Sequence, residues 1–235
     1  MLLSQRLIIQ RAAVLGVEIP DDPDKVTDAV FLRLLALCGG HERLVGVGRC
    51  FRLTNACLDN IHRCYGLQYL NLSYTQITDI SPIKDLPVLR SLSLCGLNCA
   101  SYDDIKWITS LEILNLNFSS ISCATALQGL SLLRSLDLGH TQITTINELS
   151  TLTRLEELYL DSNIHMDSCM EVSSVGAIFE PLSSLTYLQI GNTSALLKKA
   201  QKLALVLPPK TVIMTKPRRF VFYTSHDMSV VSLFV

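Results

Sequence analysis

The sequence predicts an α/β solenoid, with a curved parallel sheet on its concave side, a helical N-terminal cap and a β-containing C-terminal cap. Three observations carry that expectation. Leu67 returns as Leu89, Leu111, Leu133 and Leu155, a step of 22 residues each time. Each return opens the same spacing, Leu-x-x-Leu-x-Leu, as in Leu67, Leu70, Leu72 and Leu155, Leu158, Leu160, and it opens once more at Leu185, Leu188, Ile190 after 30 residues. Within each copy the Leu-x-Leu pair has the two-residue period of a strand with both leucines on one face. Later apolar residues, Ile77, Ile80, Ile83 and Leu86 in the first copy, close a coil that leads to the next strand. One such coil buries too little alone, so the copies must stack. Six stacked strands spaced by about 4.8 Å make a face of roughly 25 to 30 Å, room for a peptide strand or one side of a small domain.

The elements follow in order. Residues 1–41 are expected to form capping helices. The first sixteen residues carry Arg6 and Arg11 among apolar Leu3, Leu7, Ile8 and Val14, the pattern of an amphipathic helix, with a mitochondrial presequence as the alternative reading. A second helix has Asp22 as its N-cap and Pro23 in its first turn, Val26, Val30 and Leu34 facing inward, and Gly39-Gly40 at its end. Residues 42–195 hold the solenoid, with Val45 and Val47 on the inward face of a first, degenerate coil. The fifth unit carries eight extra residues within 165–179, expected as a longer helix on the convex side or a loop. Residues 196–235 form the C-terminal cap: a helix over 195–205 with Leu196, Leu197, Ala200, Leu203 and Ala204 inward, stopped by Pro208-Pro209, then strand-like runs at 211–214, 220–223 and 230–235.

These motifs resemble the leucine-rich-repeat superfamily, and the 22-residue form is similar to phosphatase-regulator and internalin-like proteins. The resemblance covers about residues 67–195. It implies a non-catalytic protein–protein interaction scaffold that binds a protein partner through the concave face. Members of that family place Asn at the ninth position of the unit, where it bonds neighbouring backbone. This chain has Thr75, Leu97, Ser119, Thr141, Asn163 and Thr193 there, so hydroxyls mostly replace the amide and Leu97 interrupts the row. Upstream, Cys50, Leu53, Thr54, Asn55, Cys57, Leu58 and Cys64 are similar to the cysteine-containing repeat of F-box proteins. Two rival functions follow: a structural subunit embedded in a large assembly (axonemal, cytoskeletal or ribonucleoprotein), and, more remotely, an F-box-like ubiquitin-ligase adaptor, for which residues 19–51 offer only a loose likeness.

Strand alternation lists the residues that face outward on the concave side. The expected partner-binding residues are Tyr69, Asn71, Ser73, Ser93, Asn115, Asn117, Asp137, Glu157, Tyr159, Asp161, Tyr187 and Gln189, with the tyrosines as anchors. Phe118 and His140 stand at strand exits beside them. None of these is Lys or Arg, which excludes the cation-lined groove that nucleic acid requires on this face. Beside it, Arg90, Glu112, Arg134 and Glu156 alternate in sign from unit to unit, the arrangement of a lateral charge ladder that fixes register.

The formal charge is −1, but its distribution is uneven: residues 1–180 hold 13 Lys/Arg against 20 Asp/Glu, and residues 181–235 hold 7 against 1. Lys198, Lys199, Lys202, Lys210, Lys216, Arg218 and Arg219 form a basic patch followed by Phe220, Phe222 and Tyr223, where phosphate contacts and stacking would be available to nucleic acid. A solvated capping helix accounts for the same lysines. No apolar run reaches the roughly 18 residues of a bilayer span, so membrane insertion is not expected. The eight cysteines are scattered through repeat positions without a Cys-x-x-Cys pair or histidines at ligand spacing, which points to reduced thiols packed as small apolar groups and to no metal. No phosphate loop or nucleophile elbow is present, so neither an enzyme, a cofactor nor a small-molecule substrate is expected. The expected location is cytoplasmic, with mitochondrion or flagellum and cytoskeleton as alternatives.

Overall fold

A computed structural model describes residues 23–37, 44–164, 166, 174–191, 200–209, 211–215 and 220–223. Each repeat contributes one three-residue strand: β1 Leu44–Gly46, β2 Tyr69–Asn71, β3 Ser91–Ser93, β4 Ile113–Asn115, β5 Ser135–Asp137, β6 Glu157–Tyr159 and β7 Tyr187–Gln189. Together with β8 Val212–Thr215 these pair in parallel and in sequence order, and β9 Phe220–Tyr223 closes the series antiparallel to β8. The register is set by the inward leucines. Leu70, Leu92, Leu114, Leu136, Leu158, Leu188 and Ile213 lie opposite one another from strand to strand and are at most 2% exposed. Full burial of each such side chain contributes on the order of 1.5 to 3 kcal/mol, so a one-residue slip that turned the row outward would remove the main stabilising term.

The sheet continues past its strands. Leu72, Leu94, Leu116, Leu138 and Leu160 each donate a backbone N–H to the next unit, with N···O distances from 2.7 to 2.9 Å. The convex side returns in short 3-10 helices, among them Ser81–Asp85, Asp103–Trp107 and Asn147–Thr151, which point Ile83, Ile105 and Leu149 into the core. In the fifth unit the expected convex helix is observed as α2, Ser174–Phe179, burying Val175, Ile178 and Phe179; α1 is the helix Asp28–Leu37 nearer the N-terminus.

The parallel register runs further than the leucine spacing indicates. In β8 the residue opposite Leu188 is Ile213, so the unit's first leucine position falls on Lys210 and the motif is unreadable there. Thr211 substitutes a polar anchor: buried, it donates its hydroxyl to Leu185 O at 2.6 Å. At the other end Val45 pairs with Leu70, as expected for a degenerate first coil, and Val47 is buried.

The helices differ from expectation in their faces and limits. α1 starts at Asp28, after a 3-10 turn at Pro23–Lys25, and it is Phe31 and Leu35, with Val26 before the helix, that are buried; Val30 is only half-buried. The reason is a tether. Asp28 accepts the Thr54 backbone N–H at 2.8 Å and the Thr54 hydroxyl at 2.6 Å, which fixes the rotation of α1 against the first coil. Helix α3, Ala200–Val206, buries Leu203 and half-buries Ala204. The N-terminal helix over the first sixteen residues, the Gly39-Gly40 stop, Leu34 as a side chain, Leu196, Leu197, Thr193, Cys38, Cys169 and the run at 230–235 lie outside what is described.

At the ninth position two hydroxyls satisfy local backbone, whereas that of the buried Ser119 finds no partner among the described residues. Thr75 and Thr141 donate to Leu72 O and Leu138 O at 2.8 and 3.0 Å. Asn163, completely buried, donates to Leu138 O and Leu160 O and accepts from Thr141 N, tying two units together. Where Leu97 interrupts the row, Tyr102 takes over: its buried hydroxyl donates to Leu97 O at 2.8 Å and accepts from Cys99 N at 3.3 Å. Burial holds its pKa above the ordinary phenol value. Tyr102→Phe leaves the Cys99 amide without this partner and the Leu97 carbonyl with only the Ser120 N–H at 3.2 Å, and should lower stability by about 1 to 3 kcal/mol in urea titration.

Candidate protein-binding face

The strand residues that alternate with the inward leucines form the concave surface, as the two-residue period requires. Tyr69 and Glu157 are exposed, and Asn71, Ser93, Asn115, Asn117, Asp137, Tyr159, Tyr187 and Gln189 are half-buried, flanked by their neighbours across the sheet. Two expected members are not surface groups. Ser73 is 7% and Asp161 2% exposed. Both sit at the seventh position, where the strand ends and the chain bends, so their side chains lie along the sheet rather than out of it. The Ser73 hydroxyl meets that of Ser93 at 2.7 Å, and Asp161 accepts from Gln189 Nε2 at 2.9 Å while His140 Nε2 lies 3.4 Å away. Asp161 therefore acts on the surface through His140 and Gln189.

The bend explains residues that strand alternation misses. At the eighth position Tyr74, Phe118, His140 and Ser162 have φ between 55° and 60°, and Gly96 has 70°. Left-handed backbone is unfavourable for large side chains. It is held here because the same residues' N–H groups bond the next unit: Tyr74 N to Cys95 O at 2.8 Å, Phe118 N to Gly139 O at 3.0 Å, His140 N to Asp161 O at 2.8 Å. The side chains consequently line one margin of the concave face. Phe118, 54% exposed, stacks on His140 with ring centroids 4.2 Å apart and planes 9° from parallel. Tyr74 lies across Gly96 so closely that a Cβ there would stand 2.4 Å from its ring, so only glycine fits.

The structure gathers the expected anchors unequally. Tyr159 and Tyr187 form a tilted pair, centroids 5.2 Å apart, on adjacent strands. Tyr69 stands on β2, four strands away from β6, or about 19 Å at the usual spacing. Between them Ile113, 46% exposed, is the larger apolar group on β4. The chemistry thus changes along the face: small and neutral around β2 to β4, acidic and aromatic around β5 to β7.

The acidic part is a network. Asn117 Nδ2 donates to both Asp137 oxygens at 2.9 and 3.0 Å, and Gly139 N donates to Asp137 Oδ1 at 2.9 Å. A Cβ on Gly139 would meet Asp161 Oδ1 at 2.8 Å and Asn117 Nδ2 at 2.9 Å, so the two carboxylates converge over a residue without a side chain. Burial, with the nearby Asp161 charge, raises the Asp137 pKa above 3.8 in spite of those donors. On the flank the expected charge ladder appears as two discrete pairs, Arg90 with Glu112 at 2.5 Å and Arg134 with Glu156 at 2.6 Å.

Of the basic patch, Lys202 falls on α3, and Lys198, Lys199, Lys210, Lys216, Arg218 and Arg219 lie outside the described residues. Among the described residues no group of three or more His, Cys, Asp and Glu is arranged to hold a metal ion, and no helix is long and apolar enough to cross a membrane.

The raised Asp137 pKa gives a signed expectation. The folded protein binds this proton more tightly than the unfolded chain does, so the Asp137 contribution is largest below pH 3.8 and declines as pH rises through the folded pKa. Urea titrations of wild type and Asp137→Asn from pH 3 to 7 should therefore show wild-type stability falling relative to the variant with rising pH.

Comparison with known proteins agrees with this architecture. The family described as leucine-rich repeats (2 copies) matches residues 66–107 and 131–169. Among solved structures the chain is similar to internalin C2 of Listeria monocytogenes, at 26% identity and a TM-score of 0.57 over 80% of this chain and 74% of that one. It is also similar to an internalin (inlF) of the same species, at 22% identity and a TM-score of 0.49, where it spans 52% of the other chain. No curated protein matches in sequence. With its 22-residue leucine period, its in-register parallel sheet and the two stretches that match the repeat model, the chain carries leucine-rich repeats and folds as a leucine-rich-repeat solenoid.

Proposed function

We propose that the protein is a non-catalytic scaffold that binds a protein partner through the concave face of its repeats. The observation that carries this is the composition of that face. It presents Tyr69, Ile113, Tyr159 and Tyr187 among short polar side chains on a rigid sheet, the mixture of aromatic anchors and hydrogen-bonding groups typical of protein interfaces. Because the backbone beneath is held by hydrogen bonds from unit to unit, binding needs little reorganisation of the scaffold. The embedded structural subunit remains the second reading, favoured by the apolar groups exposed away from the concave strands, such as Trp107 at 64% and Ile164 at 68%.

The proposed setting is a reducing compartment. Cys50, Cys57 and Cys99 are free thiols buried in the core, and desolvation pushes the first two to about 11 and about 12. The thiolate is the reactive form. Iodoacetamide at pH 8 followed by peptide mapping should modify exposed Cys123 first and leave Cys57 unmodified until the protein is denatured.

The functional test is affinity purification with mass spectrometry of wild type against a Tyr69→Ala, Tyr159→Ala, Tyr187→Ala variant, which removes outward rings and leaves the inward leucines in place. Loss of one defined protein supports concave-face recognition. An unchanged set of many subunits from one particle would overturn it in favour of the embedded role.

A further inference from the structure

The acidic and aromatic stretch from β5 to β7 narrows what this face takes. Asp137, Glu157 and the buried Asp161 lie on consecutive units, whereas the outward strand positions of β2 to β7 carry no Lys or Arg. Among the described residues, Arg134 on the flanking row is already paired with Glu156. Glu157 is exposed and accepts from Ser135 Oγ at 3.0 Å, which steadies the carboxylate while leaving acceptor capacity. The tilted Tyr159 and Tyr187 rings stand on the same two strands.

Carboxylates at two heights beside aromatic faces suit one kind of side chain. A guanidinium is planar, forks onto a carboxylate and stacks on a tyrosine ring, and it sheds water more readily than an ammonium group. Asp137 and Asp161 converge over Gly139, and an incoming positive charge would be attracted to the carboxylates there. An extended segment laid on the face presents alternate residues to it at the strand period. Resting on the concave-face reading, we infer that the surface made by Asp137, Glu157, Tyr159 and Tyr187 binds an arginine-bearing, extended segment of a partner protein. Charge complementarity chooses this occupant over an acidic or apolar segment.

The probe is a fluorescein-labelled peptide of alternating Arg and Ala, read by fluorescence anisotropy at physiological salt, with Lys-Ala, Glu-Ala and Tyr-Ser peptides alongside. Glu157→Gln, and Glu157→Gln combined with Asp137→Asn, are compared with wild type and with Asp103→Asn/Asp104→Asn on the convex side. Thermal melts of each variant establish that it is folded. The expected result is that Arg-Ala binds more tightly than Lys-Ala and that Glu-Ala does not bind. Removing the concave acids should cost about tenfold or more in affinity while the convex pair changes nothing. Equal loss from the convex variant, or Arg-Ala binding untouched by Glu157→Gln in a folded protein, overturns the inference. If Tyr-Ser binds and depends on Tyr159 and Tyr187 while Arg-Ala does not, the concave face binds protein and only the arginine assignment fails. If no peptide binds and the tyrosine variant retains all its purified partners, the concave-face reading itself fails. Self-association of the wild type that Glu157→Gln abolishes would assign the face to a basic segment of a second copy and overturn the separate partner.

Discussion

Everything in this protein depends on keeping the inward leucines in phase from one coil to the next. A single coil offers a strand of three residues and a short 3-10 return, far too little to exclude water from its own leucines. Stacking aligns Leu70 with Leu92, Leu114, Leu136 and Leu158, and the parallel ladder then follows, because the spacing that superimposes the side chains also superimposes the backbone donors and acceptors. The sheet is therefore a consequence of the apolar row as much as a cause of it. Where the sequence departs from the pattern, local polar chemistry substitutes: Thr211 anchors the coil whose first leucine is Lys210, and Tyr102 serves the coil in which Leu97 replaces a polar ninth residue.

That constraint also fixes the concave surface. Once the inward row is committed, the residues between the leucines must face the concave side, and their chemistry is free to vary without cost to the core. The chain uses this freedom unevenly, with small neutral groups on the early strands and acids with tyrosines on the later ones. The bend at the strand exit adds a second row. Its left-handed residues are stabilised from outside, by hydrogen bonds to the following unit, so bulky Phe118 and His140 stand where glycine or asparagine would be less strained, and they stack on one another along the rim.

Much of the concave face was legible in the sequence because a period-two strand sorts residues by position alone. Tyr69, Tyr159 and Tyr187 fell where alternation placed them. Ser73 and Asp161 did not, because alternation ends with the strand while the seventh position already belongs to the bend. The Tyr159–Tyr187 pair, the convergence of Asp137 and Asp161 over Gly139 and the hydroxyl of Tyr102 required residues from different units to be set side by side, and the sequence carries no spacing rule for such contacts.

By itself the sequence determined the repeat length, the inward face, the strand order and the replacement of the ninth-position amide by hydroxyls, since each follows from residue type recurring at a fixed period. The tertiary structure decided what periodicity leaves open. It rotated α1 onto Phe31 and Leu35 through the Asp28–Thr54 contact, carried the parallel register on to β8 and resolved the charge ladder into separate pairs. The physical reason is the same in each case: a period specifies the neighbour that a residue type meets on average, whereas rotation, end effects and pairing depend on the particular side chains that happen to face one another.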